Sequence, residues 1–179
     1  MRAKKTGKRT QIIDEIMVAL CSREVYGVID SKSASEDKIK TYLHRILLKH
    51  LTKIFQKIFL EKEKLAERHA DKSLQWEGDK KTTINNVKFL GTQHRPDFVI
   101  RVDGISIAVE VKIGESGQSI REGLGQSLVY ASSQFDFVCY VFVDSSKDQK
   151  IIESLEKDDE KSFLLGLWEN HNIRFRVVG

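Results

Sequence analysis

Residues 95–112 read RPDFVIRVDGISIAVEVK, a stretch that indicates a β-hairpin. Its two halves, residues 98–102 and 105–111, are rich in the β-branched and aromatic residues that strands favour. Between the halves, Asp103 and Gly104 form a strong signal for a two-residue type I′ turn. We therefore expect the chain to reverse direction here and the two strands to pair antiparallel.

A two-residue turn also fixes which side chains meet across the hairpin. Val102 should oppose Ile105, and the same count outward brings Asp97 opposite Glu110. Glu110 and Lys112 lie two positions apart on one strand and share a face. Directly opposed residues have Cβ atoms about 4.5–5.5 Å apart, so the sequence predicts one cluster of Asp97, Glu110 and Lys112.

Two opposed carboxylates repel each other, so this cluster needs a compensating charge. A hard divalent cation would supply it, and Mg²⁺ is typically held by one or two carboxylates together with waters and substrate phosphate. Lys112 beside such an ion could orient or deprotonate an attacking water, or bind the phosphate. The alternative is a partly solvated ion-pair triad in an ordinary hairpin.

The order Pro96-Asp97, hairpin, Glu110-Val111-Lys112 resembles the PD-(D/E)XK nuclease superfamily, which includes restriction endonucleases, junction resolvases and RecB-type exonucleases. The resemblance implies Mg²⁺ or Mn²⁺ held by Asp97, Glu110 and the backbone carbonyl of Val111, with Lys112 near the nucleophilic water. An acid-X-Lys triplet occurs at five other places in the chain. Only the triplet ending at Lys112 lies in an apolar strand with an aspartate across a hairpin, which makes the match specific.

The same resemblance implies an α/β fold with a restriction-endonuclease-like core over about residues 33–145. Such a core has a helix, three antiparallel strands, a second helix and a further strand, so that helices flank a mixed central sheet. Residues 135–143 (FDFVCYVFV) are almost continuously apolar, which is typical of a buried strand. We expect this strand to lie parallel to the one that carries Glu110, joined to it by a helical crossover.

The segment before the hairpin is expected to contribute its third strand. Residues 82–90 read as a strand that should pair beside residues 96–102 through the loop 91–95. Arg95 in that loop flanks Asp97. It could contact a phosphate, or it could belong to an ordinary polar loop.

Residues 33–70 have the apolar spacing of one long helix or of a broken pair. Ser33 and Glu36 fit a capping-box pattern, in which Glu36 needs no catalytic role. Glu36 also projects onto the apolar face, and the resemblance implies that an acid from the first core helix completes the metal site. His50 is an alternative ligand on the same face, although a lone histidine there is more often an ordinary core residue.

Basic side chains form a stripe along one face of this helix. Residues 38–60 contain no Asp or Glu, whereas Arg45, Lys49, Lys53 and Lys57 recur every four residues. Side chains four apart are neighbours on a helix, and like charges so placed cost roughly 0.2–0.5 kcal/mol a pair. A nucleic-acid backbone alongside would turn that cost into affinity. The alternative is a solvated helix face.

Residues 119–133 predict a helix after the hairpin. Gly123 and Gly125 are costly inside a helix and suggest close approach of its backbone to another element or to substrate. Gln126 and Tyr130 resemble the QxxxY motif of RecB-type members of the superfamily, which implies Gln126 near the metal or scissile phosphate and Tyr130 near the substrate. The buried face is expected to hold Ile120, Leu124, Leu128 and Ala131.

Bulk composition bounds the class of protein. The 179 residues, 40% hydrophobic and 31% charged, fit a single folded domain over residues 11–179. Residues 1–10 are expected to form a basic tail, which is either a solvated terminus or a phosphate-binding arm. Five of the 30 Lys and Arg lie in it, and the remaining 25 face 26 Asp and Glu, so the net charge of +4 does not itself indicate nucleic acid.

The chain lacks an apolar run of the roughly 18 residues needed to span a bilayer, so no membrane partner is expected. Two cysteines and the absence of an apolar secretory core favour a cytoplasmic protein.

The function expected from these patterns is that of a Mg²⁺-dependent endodeoxyribonuclease in restriction, repair, recombination or defence. RNA in place of DNA stays open, as does pairing into a homodimer. The competing hypothesis is a catalytically silent nucleic-acid-binding or structural module on the same fold.

Overall fold

The computed structural model describes residues 4–26, 35–79, 83–155 and 157–179. Among these residues no helix is long and apolar enough to cross a membrane. The helices are α1 (Gly7–Leu20), α2 (Arg23–Tyr26), α3 (Glu36–Ile58), α4 (Glu63–Ser73), α5 (Gly117–Ser133), α6 (Lys150–Ser154) and α7 (Asp158–His171). The strands are β1 (Leu74–Trp76), β2 (Val87–Phe89), β3 (Thr92–His94), β4 (Phe98–Val102), β5 (Ile105–Gly114), β6 (Phe137–Asp144) and β7 (Ile173–Val178).

A five-stranded mixed sheet forms the centre, in the order β1-β4-β5-β6-β7. β1, β4 and β5 pair antiparallel, whereas β5, β6 and β7 pair parallel. Each parallel connection runs through helices, as parallel pairing requires. The predicted α/β class, with a mixed sheet flanked by helices, is confirmed, as is the parallel strand beside β5.

The β4–β5 hairpin has the predicted register. Asp103 and Gly104 have φ angles of 53° and 70°, the left-handed values that a type I′ turn requires. Val102 pairs with Ile105, and the ladder runs out to Phe98 opposite Val109. Asp97 therefore lies immediately before the first paired residue of β4.

The neighbour of β4 differs from the prediction. Residues 82–90 were expected beside β4, but β1 takes that position, with Trp76 opposite Phe98. Instead, β2 pairs only with β3 in a separate two-stranded sheet. Leu90 and Gly91 have φ angles of 47° and 79°, so they close a tight turn that returns the chain onto β2 itself.

The expected basic tail is partly helical, because α1 begins at Gly7 instead of at residue 11. The Thr6 side chain accepts a hydrogen bond from the Arg9 N–H and caps the helix. Lys5 donates to the Glu169 carbonyl across 2.9 Å, and Lys8 lies 3.1 Å from Asp103 Oδ1. These contacts hold the segment against the folded domain, and a phosphate-binding role for residues 4–10 stays a prediction.

The long helical segment is a broken pair, α3 and α4, with Leu60 at a φ of 57° between them. Ser35 caps α3 by accepting from the Lys38 N–H. The expected cap, Ser33, lies outside the described residues.

The sheet is covered on both faces. One core layer joins the sheet to α1, α3 and α4, and the other lies under α5 and α7. On α5 the buried residues are Gly123, Ser127, Val129 and Tyr130. Of the predicted buried face, Ile120, Leu124 and Ala131 are partly buried against this core, whereas Leu128 is 39% exposed.

Candidate active site

Two carboxylates are buried where the β4–β5 hairpin meets α5. Asp97 is 3% exposed and Glu110 is 1% exposed. Because side chains alternate along a strand, both carboxylates and Lys112 belong to the face that α5 covers. The structure thus brings together the three residues that the hairpin register predicts, and it adds partners from α3 and α5.

The two carboxylate oxygens of Asp97 contact residues of two different elements, β5 and α3. Oδ2 accepts a 2.7 Å hydrogen bond from the backbone N–H of Val111, and Oδ1 lies 2.5 Å from Lys40 Nζ. The first contact fixes the carboxylate against β5, and the second ties it to α3. The predicted role of the Val111 carbonyl stays a prediction.

Glu110 is likewise held on both sides. Lys112 Nζ lies 3.0 Å from Oε1, and the Tyr130 hydroxyl donates to Oε2 across 3.3 Å. Lys112 itself keeps about a quarter of its side chain exposed. It therefore connects the buried carboxylate to solvent.

Burial sets the protonation behaviour of the cluster. Removal from water raises the pKa of Asp97 above its ordinary value, although the Lys40 ammonium opposes this. Burial also raises the pKa of Glu110, and the Asp97 charge raises it further. For Lys112, burial alone would lower the pKa, but the carboxylates of Glu110, Glu36 and Asp97 together outweigh burial and raise it. The two carboxylates are held close at a free-energy cost that two ammonium groups only partly offset.

Lys40 was missed by sequence reasoning. It is 8% exposed, and its Nζ bridges Glu36 Oε1 at 2.6 Å and Asp97 Oδ1 at 2.5 Å. The available signal was a lysine at a position that helix periodicity places among the apolar residues Leu43 and Leu47. A buried lysine is rare unless it is paired, so that position called for an acidic partner.

Glu36 lies at the N-terminus of α3, with 37% of its side chain exposed. It reaches Asp97 through Lys40. Among the described residues no group of three or more His, Cys, Asp or Glu side chains is close enough to hold a metal ion. Glu36 is therefore beside the carboxylate pair, and its place in a ligand set stays a prediction.

The two predicted residues of α5 differ in environment. Gln126 has a buried Oε1 with no hydrogen-bond partner among the described residues. Tyr130 is fully buried, and its hydroxyl contacts Glu110. The ring is packed behind the Glu110 carboxylate, and the expected place of Tyr130 near the substrate stays a prediction.

Arg95 is connected to the site by Glu77, a residue that the sequence pattern did not indicate. Arg95 pairs with Glu77 across 3.4 Å, and both side chains are partly exposed. The Glu77 N–H donates to the Asp97 carbonyl across 3.0 Å. Arg95 thus lies at the rim of the carboxylate pair and open to solvent.

The basic stripe lies on the exposed side of α3. Arg45, Lys49, Lys53 and Lys57 are all exposed, whereas Lys40 is buried on the other side of the same helix. Lys49 lies 3.9 Å from Glu24. The structure therefore separates the predicted nucleic-acid stripe from the carboxylates.

The alternative ligand His50 is not brought to the carboxylates. It follows Lys40 by ten residues, or about 15 Å along a helix. Burial lowers its pKa, and the charges that act on it are those of Lys53, Glu15, Lys49 and Glu24. Its neighbours thus belong to α1, α2 and the basic stripe.

The chemistry of the donor set fits a hard divalent cation. Asp97 and Glu110 supply carboxylate oxygens, the ligand type that Mg²⁺ and Mn²⁺ favour. Comparison of the chain with family models, with curated proteins and with solved structures finds no match in any of the three. Functional inference therefore rests on the residues and their geometry.

Proposed function

We propose that this chain is a Mg²⁺- or Mn²⁺-dependent nuclease that hydrolyses phosphodiester bonds in DNA. The single observation that carries this proposal is the pair of carboxylates, Asp97 and Glu110, each more than nine-tenths buried and joined to Lys112 at the edge of the site. Groups of like charge in one buried cluster are costly. Such placements concentrate at functional sites.

Each residue has a role that follows from its contacts. Asp97 and Glu110 would hold the cation, and Glu36 would add a ligand from α3. When bound, the cation would lower the pKa of a coordinated water and offset charge that develops on the phosphate. Lys112, partly exposed and beside Glu110 Oε1, would orient the attacking water or bind a phosphate oxygen. Gln126, with its unpartnered buried Oε1, would assist from α5.

The order of elements also supports the proposal. A helix (α3), three antiparallel strands (β1, β4, β5), a helix (α5) and a parallel strand (β6) occur in this order along the chain, with α4 between α3 and β1 and the separate β2–β3 sheet between β1 and β4. That order is what resemblance to the PD-(D/E)XK superfamily implies for a restriction-endonuclease-like core. An endonuclease acting in the cytoplasm, alone or as a homodimer, is the form of the proposal that we would test first.

The experiment is a cleavage assay on supercoiled plasmid, branched DNA and single-stranded RNA, with Mg²⁺, Mn²⁺ or chelator. Asp97→Asn and Lys112→Met should each lose at least about a hundredfold in rate, within the range reported for loss of a catalytic group. A matched control is the double variant Asp148→Asn, Lys150→Met, because this exposed acid-X-Lys pair lies 3.2 Å apart outside the site. Equal activity of wild type and Asp97→Asn would contradict the proposal.

A second candidate is a catalytically silent module that binds nucleic acid or serves a structural role. One observation favours it: Lys40 and Lys112 already neutralise part of the acidic cluster. This candidate predicts that the wild type neither cleaves nor binds Mn²⁺. It also predicts that Asp97→Asn binds DNA as the wild type does.

A further inference from the structure

A lysine ammonium bridges two of the proposed metal ligands. Lys40 Nζ lies 2.6 Å from Glu36 Oε1 and 2.5 Å from Asp97 Oδ1, and its side chain is 10% exposed. Carboxylate oxygens are also the ligands that a divalent metal bound at Glu36 and Asp97 would use. Lys40 and a metal ion would thus require the same two oxygens.

We propose that Lys40 is an internal counter-cation that competes with a divalent metal for Glu36 and Asp97, so that metal binding and release of the ammonium are one exchange. This inference rests on the proposed function, because it requires a metal at the carboxylates.

The contacts of Asp97 show which partner can yield. Oδ2 is held by the backbone N–H of Val111, which is fixed within β5. Oδ1 is held by the tip of a lysine side chain, whose four-carbon stem has free rotations. An incoming ion can therefore take Oδ1 by moving one side chain, with the sheet unchanged.

Charge balance favours the same exchange. With all three carboxylates ionised, as metal ligation requires, Asp97, Glu110 and Glu36 together with Lys40 and Lys112 carry one formal negative charge. A divalent ion added to this cluster would leave one excess positive charge in a largely buried place. Release of the Lys40 ammonium restores neutrality, and unbalanced buried charge is costly.

The experiment measures Mn²⁺ binding by calorimetry and by paramagnetic resonance, without any cleavage readout. Lys40→Met keeps an unbranched side chain one atom shorter than lysine and removes the competing charge. It should bind Mn²⁺ about tenfold more tightly than the wild type, which corresponds to about 1.4 kcal/mol. Lys38→Met is the matched control, because Lys38 is exposed on the same helix and its loss should leave the affinity unchanged.

The outcomes separate this inference from the proposed function. One outcome is that the wild type binds Mn²⁺, Asp97→Asn does not, and Lys40→Met binds no more tightly than the wild type. That outcome overturns the exchange and supports the metal site. No binding by wild type or Lys40→Met overturns both. Binding by Lys40→Met alone supports the exchange.

A measurement on the wild type covers the case in which Lys40→Met does not fold. Ammonium groups held in ion pairs give ¹H–¹⁵N resonances, and Lys40→Arg identifies the Lys40 signal by removing it. Titration with Mg²⁺ should shift or abolish that signal, whereas Na⁺ at equal ionic strength should not. An unchanged Lys40 resonance throughout the Mg²⁺ titration overturns the exchange.

Discussion

The hydroxyl of Tyr130 on α5 donates to Glu110 Oε2 on β5 across 3.3 Å. Burial raises the pKa of this phenol, and the Glu110 carboxylate raises it further, so Tyr130 stays protonated at all working pH values. A donor that never loses its proton can only hold the carboxylate in place. If Glu110 holds a cation as proposed, Tyr130 would be a positioning residue for it on the helix that packs over the site.

Tyr130→Phe should leave the ring in place and remove this one hydrogen bond. A typical hydrogen bond contributes about 0.5–1.5 kcal/mol, so we expect kcat to fall about threefold to tenfold and Mn²⁺ affinity to fall by a similar factor. Metal-binding calorimetry and single-turnover cleavage measure the two effects.

Tyr140→Phe is the matched control for that change. Tyr140 is also buried, but its hydroxyl donates to the carbonyls of Ser119 and Ile120 at 3.5 and 3.4 Å. Its loss should lower the free energy of unfolding without weakening Mn²⁺ binding. Equal losses of Mn²⁺ affinity in the two variants would show that Tyr130 acts on stability alone.

Glu110→Gln should stabilise the fold in a pH-dependent manner. The pKa of Glu110 in the folded protein is raised above its ordinary 4.5, by burial first and then by Asp97. The unfolded chain therefore releases this proton at lower pH, and the folded state loses stability as the pH rises above about 4.5. Glutamine carries no charge, so the variant should gain at least about 1 kcal/mol relative to wild type between about pH 5 and pH 8, one pKa unit being 1.36 kcal/mol.

Urea unfolding at several pH values measures this gain. Glu122→Gln serves as a control, because Glu122 is exposed on α5. The prediction is wrong if Glu110→Gln differs from wild type by the same amount at both ends of the range. Cleavage should be lost at every pH, because the variant lacks the charge that would hold the cation.

Local sequence rules predicted the parts of the site that depend on a short segment. The Asp103-Gly104 turn fixes the register, and the register alone brings Asp97, Glu110 and Lys112 together. Lys40 could not be placed in the same manner, because its partner Asp97 lies 57 positions away along the chain. That contact depends on how α3 packs across the sheet.

The failed strand assignment has a similar cause. Residues 82–90 have strand composition, but composition does not say which strand is the partner. The turn at Leu90 and Gly91 closes locally and leaves the edge of β4 to β1. Likewise, the burial of Tyr130 behind Glu110 could not be predicted, because a motif gives spacing along a helix and no information on burial.

The two glycines of α5 should respond oppositely to alanine. A Cβ at Gly123 would lie 2.3 Å from the Tyr140 hydroxyl oxygen, whereas a Cβ at Gly125 would have nothing within 4 Å. Gly123→Ala should therefore cost about 1–3 kcal/mol of unfolding free energy by overpacking. Gly125→Ala should gain about 0.5–1 kcal/mol from helix propensity.

Thermal and urea unfolding of the two variants measure these changes. The sequence alone treated the glycines alike, and only Gly123 closely approaches another element of the fold. A gain in stability for Gly123→Ala would mean that α5 does not pack against Tyr140 as described.

Substitutions in the basic stripe would test how nucleic acid approaches the site. Lys53 and Lys57 are exposed on the side of α3 away from Lys40 and the carboxylates. If the stripe binds the phosphate backbone, Lys53→Gln with Lys57→Gln should weaken DNA binding and lower the slope of log affinity against log salt by about two, near 0.9 for each lost contact. At saturating DNA, kcat should stay unchanged because neither lysine touches the carboxylate pair.

The matched control removes the same charge from another helix. Lys64 and Lys72 are exposed on α4, and Lys64→Gln with Lys72→Gln changes the net charge equally. Equal weakening by the two double variants would indicate a general charge effect and an ordinary solvated stripe. Weakening that is confined to the α3 variant, with KM raised and kcat retained, would mean that DNA contacts α3 on one side while its scissile phosphate reaches Lys112 on the other.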